Sequence, residues 1–266
     1  MTRGAALALL GVTVALGYVF FSLPTESPRP APDPPLPTTG PTPAAVPRIA
    51  IVVDDFGATW RLVDRFLALP PEIGIAVIPH LHESARVARE ARARGFDVLL
   101  HQPMEPKEFP KENPGKYGIY LWQGREEVAA ILNENIKSLG VPIAGVNNHM
   151  GSRATSHRPL MEAFFEAFPR GLVFLDSRTS SESVAYDVAC AHGIPALKNN
   201  IFLDASPDPA EIERAFDQLL RQAQKRGAAV AIGHVHSTAT LELLESRLPR
   251  LAAEGVRLVR LKDLIS

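Results

Sequence analysis

The chain has 266 residues, a formal net charge of −1 and a single cysteine, Cys190. A nearly neutral chain without a basic run is not expected to bind nucleic acid, because such surfaces need clustered Lys and Arg. One cysteine also excludes an intramolecular disulfide and a zinc site built from several thiolates.

The segment 1–23 differs in composition from everything that follows. Arg3 precedes an uncharged apolar run that extends from residue 5 to residue 23. At about 1.5 Å per residue this run nearly spans a hydrocarbon layer of about 30 Å, and it is long for the apolar part of a cleaved signal. We predict a signal-anchor with Arg3 on the cytoplasmic side, and a cleaved signal peptide is the alternative.

The segment 24–47 is rich in proline, with Thr, Ser and Ala between the prolines. Such a composition favours a semi-stiff polyproline spacer over a helix or a strand. An anchor followed by a spacer predicts that a domain spanning 48–266 is held on the outer, periplasmic or extracellular, side of a membrane. The domain would be secreted if the signal is cleaved.

From residue 48 onward, short apolar runs alternate with segments of helical periodicity. The predicted strands are 48–53, 73–78, 97–100, 144–147, 172–175, 201–203, 228–232 and 256–260. The predicted helices are 59–69, 83–94, 125–139, 159–168, 181–192, 209–226 and 240–253. This alternation predicts an α/β fold of parallel strands in an irregular (β/α)7-type barrel, with an open doubly wound sheet as the alternative. No glycine-rich phosphate loop follows the first strand, which counts against nucleotide binding.

The first strand ends in two adjacent carboxylates, Asp54 and Asp55. The cap of a following helix would explain one acid but not both, since like charges repel near a core. In parallel barrels ligands bind where the strands end. The pair therefore indicates a metal site or acid–base chemistry.

Other strand ends carry further polar side chains. They are His101 and Glu105 after the third strand, Asn147, Asn148 and His149 after the fourth, Asp176 after the fifth, and His234 and His236 after the seventh. Singly, each has a structural explanation, such as a loop hydrogen bond or a helix cap. Together they predict one polar cluster at the mouth of the barrel.

One carboxylate and two neutral imidazoles form a typical open catalytic metal site. We predict that Asp55, His101 and His149 bind a divalent metal, with zinc the best match. Asp54 then becomes the general base and His234 the general acid of a hydrolase. No Gly-x-Ser-x-Gly elbow supports a serine nucleophile.

Five motifs taken in order resemble the divergent polysaccharide deacetylase family, a branch of the NodB-like polysaccharide deacetylases. They lie at 52–57, 100–105, 146–152, 174–177 and 232–234. The resemblance implies an irregular (β/α)7 barrel, the same roles for Asp54, Asp55 and His234, and a histidine four residues after His101.

The resemblance breaks at the fourth residue after His101, where this chain has Glu105. Either Glu105 or His149 would then complete the ligand set, and we favour His149 because imidazole suits zinc. Glu105, Asn148, Asp176 and His236 are predicted to contact substrate.

These observations predict a metal-dependent hydrolase that removes acetyl groups from an envelope or extracellular polysaccharide. The alternative is an inactive barrel module that binds glycan or has a structural role in the cell envelope. A glycosidase that uses Asp54 with Asp176 or Glu105 would need a suitable separation between the two carboxylates.

Overall fold

A computed structural model of the protein describes residues 46–265. The predicted signal-anchor and most of the predicted spacer lie outside the described residues. No helix within 46–265 combines the length and the apolar character that a membrane span requires.

The described chain forms nine strands. They are β1 Arg48–Phe56, β2 Gly74–Val77, β3 Asp97–Met104, β4 Gly145–Met150, β5 Val173–Asp176, β6 Ala196–Lys198, β7 Ile201–Phe202, β8 Ala228–His234 and β9 Arg257–Leu258. All pairs are parallel, in the order β6-β5-β4-β3-β2-β1-β8-β7, and β9 pairs with β1. The predicted parallel α/β architecture is confirmed, and β6 is the strand that periodicity missed.

Helical crossovers connect these strands. The α-helices are α1 Val63–Phe66, α2 Ser84–Ala93, α3 Arg125–Ser138, α4 Arg158–Glu166, α5 Ala185–Ala191, α6 Pro209–Arg226 and α7 Thr238–Arg247. Short 3-10 helices lie at Ala154–Ser156, Leu248–Arg250 and Leu261–Leu264. The predicted helix 59–69 is only one turn long, since Leu62 is left-handed with φ 64°. The predicted helix 240–253 ends as an α-helix at Arg247, and Pro249 lacks the backbone N–H that its continuation would need.

The sheet curls until its two ends meet at a seam. β6 and β7 stand at opposite ends of the strand order, yet only Asn199 and Asn200 separate them in the chain. The Asn199 backbone N–H donates to the Asp176 carbonyl over 2.9 Å, and Asn200 Oδ1 accepts from Val230 N over 2.8 Å. Two asparagines therefore connect the sheet ends, as the predicted irregular barrel requires.

Apolar side chains fill two layers, one on each face of the sheet. The larger layer lies between the strands and the surrounding helices and contains most of the buried aromatic and branched residues. The smaller layer fills the barrel interior, where Val52, Leu99, Leu175 and Ile232 pack together with Leu261 of the last 3-10 helix. This packing makes the lower interior a solid core and leaves only its carboxyl end for a site.

Candidate metal centre

The polar site continues the inward-facing pattern of the strands. Side chains two positions apart in a strand share a face. Val52 of β1 lies in the interior core and Asp54 follows two residues later, and Leu99 of β3 precedes His101 in the same way. On β8 the same spacing leads to His234, which is the register partner of Asp54. The carboxyl ends of the strands thus add one polar layer above the apolar core.

Asp55 reaches this layer through a distortion of β1. By strict alternation it would face away from Asp54, but its φ is 69° and the pairing with β2 shifts register between Val53 and Phe56. A non-glycine residue in the left-handed region is strained, and such residues concentrate at functional sites. The distortion brings both carboxylates to the same site.

Three donor atoms lie at the corners of a nearly regular triangle. Asp55 Oδ1 lies 3.2 Å from His101 Nε2 and 3.0 Å from His149 Nδ1, and the two nitrogens are 3.1 Å apart. An ion with four ligands at about 2.0–2.1 Å separates neighbouring ligands by about 3.3 Å, so the triangle has nearly the size of one tetrahedral face. We refer to Asp55, His101 and His149 as the donor triangle.

The hydrogen bonding of Asp55 fits a shared cation. Its buried Oδ1 has no hydrogen-bond partner among the described residues, although two imidazole nitrogens are close. Burial raises the pKa of Asp55, but the imidazoles of His101 and His149 outweigh it and hold that pKa well below its usual range. An ionised oxygen and two imidazole nitrogens within 3.2 Å of one another suit a divalent metal, and the three form the metal-type cluster found among the described residues.

Asn147 of β4 sets the orientation and tautomer of His101. Its Nδ2 donates to both oxygens of Asp54 over 2.9 and 3.0 Å, so its Oδ1 is the acceptor end of the amide. This Oδ1 lies 3.0 Å from His101 Nδ1, which must therefore carry a proton. In neutral His101 the lone pair then resides on Nε2, which faces the donor triangle, as in histidine ligands fixed by an outer partner.

Asp54 is buried beside the triangle without belonging to it. Its side chain is 2% exposed, and its Oδ2 lies 3.6 Å from His101 Nε2. Burial raises the pKa of Asp54, although the charges of His101 and His234 oppose this effect. A carboxylate with an elevated pKa is a better proton acceptor.

His234 forms a close pair with Asp204, a residue that sequence reasoning missed. His234 Nδ1 lies 2.7 Å from Asp204 Oδ1, while the backbone N–H of His234 and Thr240 Oγ1 donate to Asp204 Oδ2 over 2.9 and 2.7 Å. Burial lowers the pKa of His234, but Asp204, and then Asp54 and Asp55, raise it to about 9. The available signal was an apolar run, 201–203, followed directly by an acid.

Three of the predicted substrate contacts lie inside the fold. Glu105 is 1% exposed, and its oxygens accept from Arg153 Nη1 over 2.8 Å and from the backbone N–H of Leu121 over 2.7 Å. Asn148 accepts from the backbone of Ser177 and donates to the carbonyl of Met150.

Asp176 is fully buried and accepts from the backbone N–H of Arg178 and from Ser183 Oγ. Both oxygens of its carboxylate accept hydrogen bonds from the following loop, which argues against Asp176 as the acid of a glycosidase. His236, the fourth predicted contact, is 70% exposed, and its Nδ1 lies 3.7 Å from Asp55 Oδ2. Substrate binding by these four residues stays a prediction, and only His236 is placed where substrate could reach it.

A polar cleft of about 560 Å³ lies between the loops that follow β3, β4 and β5. It is bordered by Met150, which follows His149 in β4, and by hydroxyl side chains such as Ser152 and Thr179. Lys107 lines the same cleft, and its ammonium contacts Glu182 over 2.6 Å. The cleft thus presents hydrogen-bonding groups on the loops at the carboxyl ends of these strands.

Comparisons with known proteins identify the family and the fold. The sequence profile described as divergent polysaccharide deacetylase matches residues 51–265. An uncharacterized protein of Haemophilus influenzae is 36% identical over 218 residues, which cover 82% of this chain and 76% of the relative. The crystal structure of an uncharacterized protein from Agrobacterium tumefaciens C58 superimposes with a TM-score of 0.77 at 25% identity, covering 84% of this chain and 91% of that one.

A solved deacetylase with bound substrate superimposes with a TM-score of 0.50 at 13% identity, covering 83% of this chain and 92% of its own. At that identity the likeness concerns the fold alone.

Proposed function

Because the chain belongs to the divergent polysaccharide deacetylase family, we propose that it is a metal-dependent hydrolase that removes acetyl groups from an envelope or extracellular polysaccharide. The donor triangle carries this proposal, since one carboxylate oxygen and two imidazole nitrogens converge at 3.0–3.2 Å in a partly exposed position. Asp55, His101 and His149 would hold the ion, and zinc suits their mixed oxygen and nitrogen donors.

A bound divalent ion supplies Lewis-acid polarisation of the acetyl carbonyl and acidifies water. Asp54, next to the triangle, accepts the proton of the attacking water. His234 donates a proton to the leaving amine or alcohol, because its raised pKa keeps it protonated at neutral pH. Asp204 holds the His234 ring through Nδ1 and leaves Nε2 for the leaving group.

Two substitutions test the proposal because they separate metal binding from proton transfer. Asp55→Asn removes the charged ligand, so the purified full chain should lose both bound metal and acetate release. Asp54→Asn leaves the triangle intact, so metal content should persist while acetate release falls roughly 10²-fold, as expected when a general base is removed. Substrates are an N-acetylglucosamine hexasaccharide for amide cleavage and acetylated xylan for ester cleavage.

Metal analysis and acetate release together decide between the candidate functions. Equal loss of metal in both variants would mean that both carboxylates are ligands, and the base would lie elsewhere. Metal binding without acetate release from any acetylated glycan would favour the inactive glycan-binding or structural module instead.

We also propose that residues 1–23 anchor the domain on the outer side of a membrane. The proposal rests on the uncharged run after Arg3 and on the proline-rich segment that follows it. The full chain should fractionate with membranes, and added protease should reach the domain only from the outer side. Recovery of the intact chain in the cytosol would contradict it.

A further inference from the structure

An aromatic platform stands on the loop that follows β3. Trp122 is 62% exposed, and its ring stacks on Tyr120 with centroids 4.3 Å apart and an interplanar angle of 17°. Phe109 packs against both, with ring centroids 5.3 Å from Tyr120 and 5.5 Å from Trp122. We call Phe109, Tyr120 and Trp122 the Trp122 platform.

Hydrogen bonds of Tyr120 hold the Trp122 platform in place. Tyr120 is 6% exposed, and its hydroxyl bonds Asn113 Oδ1 over 2.9 Å and the Gly115 carbonyl over 2.7 Å. Its backbone N–H donates to Gln123 Oε1 over 3.0 Å. A flat aromatic face that is ordered before it meets a ligand loses little conformational entropy on binding.

The platform is attached to the strand that carries His101. Ile119 N–H donates to the Pro103 carbonyl, and Glu105 N–H donates to the Ile119 carbonyl, both over 2.9 Å. Leu121 N–H, next to Trp122, donates to the buried carboxylate of Glu105 over 2.7 Å. Glu105, at the place where the resemblance implies a histidine ligand, thus ties the platform to the carboxyl end of β3.

We propose that the exposed face of Trp122 stacks on a pyranose ring of the acetylated polysaccharide, beyond the sugar that reacts at the donor triangle. The proposal rests on the proposed function for the identity of the polymer. A pyranose presents a face of C–H groups bordered by hydroxyls, which an indole ring with polar surroundings matches. Lys111 and Glu112 are exposed polar residues of the same loop.

A protein partner fits this surface less well. Exposed large hydrophobic side chains in the described range are Val46, Leu81 and Trp122, and Trp122 is the only one of them on its loop. Protein-binding patches need several hundred Å² of contiguous apolar surface, which one indole does not provide. A single sugar ring needs no more than the indole face.

The intrinsic fluorescence of the chain can report on the platform directly. The sequence has two tryptophans. Trp60 is already packed, with the Arg86 guanidinium 3.8 Å from its ring and its Nε1–H donating to Asp64 over 2.7 Å. In a Trp60→Phe full chain, Trp122 is the only tryptophan, so excitation at a wavelength that tyrosine does not absorb reports on Trp122 alone.

The titration uses this variant stripped of metal with a chelator, so that turnover does not interfere. An N-acetylglucosamine hexasaccharide should shift the Trp122 emission to shorter wavelength in a saturable manner, because the sugar displaces water from the indole. Free N-acetylglucosamine should produce the same shift only at far higher concentration. Unchanged emission across the hexasaccharide titration would overturn the proposal.

Binding measured by calorimetry supplies the matched comparison. Trp122→Ala should weaken hexasaccharide binding about tenfold, as truncation of an aromatic anchor does. Trp122→Phe should recover part of the loss, since it keeps a smaller flat ring. Leu81→Ala, which also trims an exposed apolar side chain, should bind like the parent. Equal weakening by Leu81→Ala and Trp122→Ala would also overturn the proposal.

The two proposals fail in different ways. Acetate release by the intact chain without any change in Trp122 emission would leave the deacetylase function standing and remove the platform. A saturable emission change without acetate release would retain the platform as a glycan contact and remove the hydrolase.

Discussion

Replacing Asp204 with Asn should remove the charge that keeps His234 protonated while leaving the donor triangle unchanged. Asp204 contacts His234 through both its ring and its backbone and touches none of the three donors. If the amide oxygen of Asn faces Nδ1, the bond survives without the charge. If the amide nitrogen faces Nδ1, it opposes the imidazolium directly. Either orientation lowers the pKa of His234.

The size of the effect follows from the raised pKa. With a pKa of about 9, about 99% of His234 is imidazolium at pH 7 and about 76% at pH 8.5. Without Asp204, burial lowers this pKa while Asp54 and Asp55 raise it, so we take the ordinary value of 6.5 as the outcome. The imidazolium fraction then falls to about 24% at pH 7 and about 1% at pH 8.5. Acetate release should drop about fourfold at pH 7 but about eightyfold at pH 8.5.

The assay is the pH dependence of kcat/KM for acetate release by the parent and Asp204→Asn full chains. The high-pH limb of the variant should move down by about 2.5 pH units, from about 9 to about 6.5, because an acid catalyst is active only below its pKa. Metal content should match the parent. Asp208→Asn is the control, because Asp208 is exposed on the same connection and caps α6 through an oxygen that Asn retains.

The reasoning is wrong if the Asp204→Asn variant loses the same factor at both pH values. A uniform loss would mean that Asp204 positions the loop but does not set the charge of His234. Thermal unfolding of the variant shows whether it is folded. We expect a loss of about 1–3 kcal/mol in the free energy of unfolding, because one buried donor of His234 or Thr240 is left unpaired. A much larger loss would indicate misfolding.

Three further substitutions test the surroundings of the site. Asn147→Leu removes the hydrogen-bond acceptor for His101 Nδ1 and should weaken zinc binding about 10–100-fold in a metal titration. Unchanged zinc affinity would show that the Asn147 amide does not orient His101. Glu105→Gln should lower the free energy of unfolding by about 1–3 kcal/mol and leave metal content unchanged, since loss of metal would make Glu105 a ligand. Gly145→Ala should lower the free energy of unfolding by about 1–3 kcal/mol in denaturant melts, because the new Cβ would lie 2.5 Å from the Val173 carbonyl oxygen. A midpoint equal to that of the parent would mean that β4 and β5 move apart at little cost.

Strand periodicity predicted most of the fold and the direction of several site residues. Asp54 and His101 extend the inward face of strands whose apolar residues are recognisable in the sequence. β6 was missed because three residues of mixed character, Ala196–Lys198, carry no periodic signal. Its place in the sheet comes from pairing with β5, a long-range contact.

Some features of the site depend on backbone geometry and long-range contacts that the sequence does not reveal. The inward turn of Asp55 requires a left-handed φ and a register shift, which no pattern of residue types announces. Asp204 follows the short apolar run 201–203, of which only Ile201–Phe202 forms a strand, so this run was a weak signal for a site residue. The sequence favoured His149 over Glu105 only through the affinity of imidazole for zinc, because the ion pair of Glu105 with Arg153 is visible only in the structure.

The seam between β6 and β7 also decides which part of the site is most exposed to local opening. Elsewhere the barrel wall is a continuous ladder of amide hydrogen bonds, but here two asparagines replace it. Edges with few ladder bonds exchange their amide protons through small openings long before the whole molecule unfolds. Asp204 lies just beyond that edge, whereas the donor triangle belongs to β1, β3 and β4 in the middle of the sheet. Gentle warming should therefore disturb the partner of the acid first, while the metal ligands stay in place.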